Sequence, residues 1–230
     1  MNDISSIISD QTKLDVKNLI LKNYRIHASS EKEKTEWTRG SERQKILNDD
    51  SISVVKDYKK SMNPNYTTSS EGKEVKVGDS RGDTFKVDAV LCSNGDISTA
   101  ILAKNPNTSY GKNFHNYENT VAGEVTRLFG VGAKNDIDEV FFVDIIPTQV
   151  YSVNKKQKTK ISWESENKDK TRMIAYENNT LSVRRISDPV NKQVNRILIR
   201  PTLKNKHLLK EVKDFLSVSL EDFEVKYYLC

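Results

Sequence analysis

Asp88 and Lys104 are the residues whose types and spacing best suit chemistry. One is an acid near the end of an alternating run, the other a lysine closing the next, with fifteen residues between them. Brought to one face of a β-hairpin, they would set a cation-binding carboxylate beside an anion-binding ammonium. Whether they share a face depends on the turn at Ser93-Asn94-Gly95, because side chains alternate along a strand and a one-residue slip moves all of them across the sheet.

Two registers compete. A two-residue Asn94-Gly95 loop pairs Ser93 with Asp96, sets Asp88 opposite Ile101 and turns Lys104 to the other face. A three-residue loop, with glycine at the left-handed bulge position, pairs Cys92 with Asp96, sets Asp88 opposite Ala100 and leaves Lys104 on its face. The apolar pattern favours the second, which gathers Phe85, Val87, Ala89 and Leu91 with Ile97, Thr99, Ile101 and Ala103 on one face. The other face, with Lys86, Asp88, Val90, Cys92, Ser98, Ala100, Leu102 and Lys104, is too polar for a core layer and too apolar for a solvated one. An edge hairpin with two exposed charges is the plain alternative.

The elements that position this hairpin follow from periodicity. Ile4 to Tyr24 predicts one or two amphipathic helices capped at Asp10 or Thr12; Ser29 to Lys45 and Ser51 to Met62 extend a helical arm. After the polar loop Asn63 to Gly72 the pattern alternates: Lys73 to Val77, Thr84 to Leu91 and Ile97 to Ala103 read as an antiparallel meander. Asn113 to Phe129 has helical spacing and stops at Gly130, and Glu139 to Ile146 reads as a buried strand closed by Pro147. Met173 to Tyr176, Leu181 to Arg184 and Arg196 to Arg200 read as short strands, and Lys206 to Phe215 as a helix. The fold class is therefore α/β, a central mixed sheet that starts with a meander and is flanked by helices. Residues 1–72 form a helical region packed on a core of residues 73–230.

Lys plus Arg number 37 against 32 Asp plus Glu, a net charge of +5 that favours a polyanionic partner without demanding one. Asn154 to Arg172 concentrates seven basic and three acidic side chains around Trp163, either a solvated loop or a phosphate-contacting arm. Cys92 and Cys230 lack zinc-ligand spacing, and His27, His115 and His207 show no metal motif. No apolar run is long enough to span a membrane, and no signal segment is apparent, which together with the cysteine usage suggests a soluble protein of a reducing compartment.

The Asp near a strand end, the turn, the lysine closing the next strand, the Asn- and Tyr-rich helix NPNTSYGKNFHNYENTVAGEVTRLFG and the buried strand FFVDIIP resemble the PD-(D/E)xK nuclease core of many type II restriction endonucleases, over about residues 73 to 150. The resemblance implies a sequence-specific, Mg²⁺-dependent endonuclease acting on double-stranded DNA as a homodimer in the cytoplasm of a prokaryotic cell. It makes Asp88 a metal carboxylate and Lys104 the lysine that orients or deprotonates the attacking water. The family expects an acid two residues before the lysine, where this chain has Leu102. Some members supply it from the following helix, with thirteen residues between lysine and glutamate, which is Glu118 here; Glu124 is the rival. Base and phosphate contacts are expected from Lys155, Lys156, Lys158, Lys160, Arg172, Arg184, Arg185 and Asn191. Because Leu102 departs from the pattern, a catalytically inactive DNA- or RNA-binding protein on the same scaffold is the alternative. A third reading is an interaction or structural protein of a mobile element or phage.

Overall fold

Val140, Phe141, Phe142 and Val143 are all fully buried, so the run Glu139–Ile145 has no solvent face and lies at the centre of a seven-stranded sheet. In this computed structural model the described residues are 1–29, 41–79, 81–104, 110–130, 137–153 and 159–230; for residues 27, 41–48, 110–118 and 189 only the backbone is described.

The strands are β1 (Asn2–Asp3), β2 (Ser70–Lys73), β3 (Lys76–Gly78), β4 (Thr84–Lys86), β5 (Ala89–Ser93), β6 (Asp96–Lys104), β7 (Glu139–Ile145), β8 (Tyr151–Val153), β9 (Ile161–Trp163), β10 (Gln193–Leu203) and β11 (Phe223–Leu229). The α-helices are α1 (Asp10–Ala28), α2 (Ser41–Met62), α3 (Tyr110–Phe129) and α4 (Glu166–Ser187). The main sheet runs β1-β11-β10-β7-β6-β5-β2, with β6, β7 and β10 mutually parallel and the flanking pairs antiparallel. This is the expected α/β class, a mixed sheet flanked by helices.

The sheet buries both faces, and two expectations are corrected: Phe85, Val87 and Ile97 pack with Val90 and Leu102 and not with Ala89 and Ile101, and the face expected to be too polar for a core layer is one. Ala89, Leu91, Ile101, Phe141 and Ile197 join α1 and α2 in one core; Val90, Ala100, Leu102 and Phe142 face Val121, Val125 and Leu128 of α3 in another. Each parallel connection, β6 to β7 and β7 to β10, includes a helix, α3 and α4 respectively, as parallel strands require a crossover. In open α/β sheets the crevice outside the carboxyl ends of such strands is where ligands bind. Lys104 and Asp144 stand at those ends.

Several local expectations are corrected. The cap of α1 is Ser9, whose hydroxyl accepts the Thr12 N–H, not Asp10 or Thr12. Lys73 to Val77 breaks at Glu74, where φ is 52°, and Thr84 to Leu91 breaks at Val87–Asp88, so β3 and β4 leave the main sheet as a separate hairpin. Met173 to Tyr176 and Leu181 to Arg184 are not strands but parts of α4, whose buried positions Arg172, Tyr176, Thr180, Val183 and Ser187 follow helical spacing. Lys206 to Phe215 is two short 3-10 turns, the second fixed by a capping box between Glu211 and Asp214. The expected helix at Ser29 to Lys45 lies largely outside the described residues.

Candidate active site

Asn94 and Gly95 both have positive φ, 52° and 91°, so the turn has two residues and Ser93, not Cys92, pairs with Asp96. The three-residue loop is therefore corrected. What brings Asp88 to the face of Lys104 is a β-bulge: the register slips by one between Leu91 and Cys92, so that Leu91 meets Thr99 and Ala89 meets Ile101. One residue further, Asp88 comes level with Leu102, on the side of Ala100 and Lys104.

Asp88 itself lies in the bend that precedes β5. Its carboxylate accepts the N–H of Ala103 at 2.8 Å, where a continued strand would have offered a backbone carbonyl. A side chain thus ends the ladder, and the acid is fixed to the strand that carries Lys104.

Lys104 is half-buried, and its Nζ lies 3.2 Å from Oε1 of Glu124 on α3. Across the sheet its register partner on β7 is Asp144. Burial alone would lower the lysine's pKa, but Glu124, Asp88 and Asp144 together outweigh it and hold the ammonium above its ordinary value. Burial also raises the pKa of Glu124, with Asp88 and Asp144 adding to the effect, and Lys104 only partly offsets it. Oε2 of Glu124 is buried with no hydrogen-bond partner among the described residues.

Asp144 is fully enclosed, and burial raises its pKa against the opposing effects of Arg196 and Lys104. Its partner Arg196, on β10, is 3.3 Å away and packs between the rings of Phe142 and Tyr176, at 5.4 and 5.0 Å from their centroids. A row of alternating charge, Asp88, Lys104, Asp144 and Arg196, therefore crosses an otherwise apolar sheet face. Arg196 was missed in the sequence; the signal was a charge inside the apolar run Val194 to Ile199, on a strand beside one that carries an acid.

Glu118 falls on α3 where only the backbone is described; among the described side chains of this helix, Glu124 is the one that meets Lys104. Glu124 had its own signal, lying three residues after Val121 and four before Leu128 on the buried stripe.

The expected nucleic-acid contacts divide. Lys155, Lys156 and Lys158 lie outside the described residues, and Lys160 is exposed in a bridge to Glu211. Arg172 is built into the fold: it is 7% exposed and ion-paired with Glu164 and Asp169. A guanidinium enclosed in this way has no free face for a phosphate or a base. Arg184 bonds the carbonyls of Val194 and Cys230, Arg185 is exposed on the same last turn, and Asn191 closes the following 3-10 turn with φ 55°. Val194 is level with Val140 on β7, four residues before Asp144. At roughly 3.3 Å per residue, Val194 lies about 13 Å along the sheet from the level of Asp144, whereas Cys230, which Arg184 also bonds, donates its N–H to the Arg196 carbonyl.

Among the described residues no three His, Cys, Asp or Glu side chains cluster as a ready-made metal cage, and no helix is long and apolar enough to cross a membrane. The two cysteines are unpaired. Comparison of the chain with protein-family models, with curated proteins and with solved structures returns no match.

Proposed function

We propose that the chain is a Mg²⁺-dependent endonuclease of the restriction type that hydrolyses phosphodiester bonds in double-stranded DNA. The observation that carries this reading is the convergence of Asp88, Lys104 and Glu124, from a bend, a strand end and a helix, at the carboxyl ends of the parallel strands.

The donor set fits the metal. Mg²⁺ keeps several waters and is commonly held by one or two carboxylates with substrate phosphate oxygens, so a closed protein cage is not required. Asp88 and Glu124 would hold it, and the unpartnered Oε2 of Glu124 is the kind of atom a cation or its water satisfies. When bound, the ion supplies an activated water and offsets charge developing on the phosphate. Lys104, held as an ammonium by three carboxylates, adds fixed positive charge beside the phosphate and orients the attacking water. The bond to the Ala103 N–H fixes Asp88, and the apolar walls at Val90, Ala100 and Leu102 limit water around these groups. Leu102 belongs to that wall, so the acid that the family pattern sets there is supplied instead by α3.

Two copies related by a two-fold axis would cut both strands of a palindromic site. The unpaired cysteines accord with a reducing cell interior, here the prokaryotic cytoplasm. Incubation with phage DNA and Mg²⁺ tests the reading: discrete fragments are expected, and intact DNA under all divalent-ion conditions would refute it.

A second reading, a catalytically inactive DNA- or RNA-binding protein on this scaffold, is favoured by Leu102 in the acid position. It predicts salt-sensitive binding without metal-dependent scission.

A further inference from the structure

The β3–β4 hairpin contributes no strand to the main sheet, yet it is held tightly. Its inner side chains Val77 and Phe85 pack into the core under α3. Arg127 of α3 stacks on Phe85 at 4.6 Å, bonds Asp79 through Nε at 2.7 Å and reaches the Thr84 carbonyl at 3.3 Å. Asp79 is fully buried and accepts the N–H groups of Arg81 and Asp83, both at 3.0 Å, and this buried acid is already neutralised from α3.

The outer face is different. Lys76 and Lys86 are both exposed and are direct cross-strand partners. Like charges in that relation destabilise a strand pair. Glu74 answers Lys86 at 3.1 Å, whereas Lys76 makes no ion pair among the described residues. Arg81, largely exposed although its Nε lies 3.6 Å from Asp79, adds a third cation at the tip. This face has no role in packing.

Its position gives it one. Lys86 is two residues before Asp88, so their Cα atoms are at most about 7 Å apart even in a fully extended chain. At the base of the hairpin, Glu74 N–H bonds the Asp88 carbonyl at 2.8 Å, and Val87 N–H bonds that of Val75 at 2.9 Å. We propose that the outer face of this hairpin, Lys76 and Lys86 with Arg81 at its tip, holds the phosphate backbone of duplex DNA beside the candidate active site. The inference rests on the endonuclease reading for its substrate. It commits to duplex DNA because a regularly charged backbone passing Asp88 is complementary to fixed cations one strand-width apart.

The test is equilibrium binding of a fluorescein-labelled 30-base-pair duplex to the full chain, without divalent ions, over a series of NaCl concentrations. The variants are Lys76→Gln/Lys86→Gln and, as a control with the same charge change on the opposite helix layer, Lys13→Gln/Lys17→Gln. Removing two phosphate contacts should make the log–log salt slope shallower by about 2 and weaken binding roughly tenfold at 0.1 M salt, while the control stays near the parent. Melting should be unchanged or slightly raised in the hairpin variant, since a like-charge pair is relieved; Arg81→Gln, outside the strand pair, should give a slope change of about 1. A hairpin variant whose slope and affinity match the parent or the control overturns the proposal and leaves the endonuclease reading standing. A parent chain that retains no duplex at 50 mM NaCl overturns both.

Discussion

Lys104 Nζ lies 3.2 Å from Glu124 Oε1, and this contact joins the end of a central strand to the helix that crosses over it. Asp88 completes the group from the other side through its bond to Ala103. The expected consequences for activity and stability separate these three residues from their neighbours.

Asp88→Asn and Asp88→Ala should both abolish Mg²⁺-dependent cleavage, but they should differ in stability. Alanine removes the acceptor of the Ala103 N–H and should cost about 1–3 kcal/mol, whereas asparagine keeps a carbonyl oxygen there and should cost less. Urea unfolding alongside a cleavage assay checks both; equal stability with retained cutting in either variant would remove Asp88 from the site.

Glu124→Gln should eliminate cleavage and Glu118→Gln should leave it largely intact. Mg²⁺ binding to the folded state should raise the parent's melting temperature by a few degrees at roughly ten times its Kd, and Glu124→Gln should lose that rise. The opposite pattern between the two glutamates would assign the second acid to Glu118.

Removing one member of the buried Asp144–Arg196 pair leaves an uncompensated charge. Asp144→Leu or Arg196→Met alone should destabilise by about 3–5 kcal/mol, and the double replacement should recover most of that loss. Denaturant midpoints for the two single variants and the double form the cycle; additive losses would mean that the two charges do not compensate each other.

Asp50 gives a pH dependence. Burial, with Asp15 and Asp49 adding like charge, raises its pKa from 3.8 to about 7. Its contribution to stability is therefore fully present below about pH 3.8 and is lost as pH rises through about 7. Asp50→Asn should match the parent near pH 4 and be more stable at pH 8, measured by thermal melting across that range; a gain independent of pH would contradict the assignment.

The hairpin, helix α3 and strand β7 were legible because each has a strong period bounded by glycine or proline. The bulge was not: its extra residue is Ser98 on β6, opposite Leu91/Cys92, and it brings Asp88 to the face of Lys104 just as a longer turn would. Helix α4 was misread for a different reason. Arg172, Thr180 and Ser187 occupy three of its buried positions, so it has no continuous apolar stripe, while Leu181-Ser182-Val183 alternates like a strand. The pairing of β1 with β11 depends on contacts more than 200 residues apart and leaves no local pattern. At the site, Asp88 and Lys104 were visible as types at a workable spacing. Arg196 was not, because its pairing with Asp144 exists only once β7 and β10 lie parallel in register.

Cleavage of supercoiled plasmid by the parent chain and by Lys104→Ala, with Mg²⁺ or with EDTA, is the most direct measurement of the central claim. The account predicts linear or discretely fragmented DNA only for the parent with Mg²⁺. Equal cleavage by Lys104→Ala, or none by the parent, would contradict it.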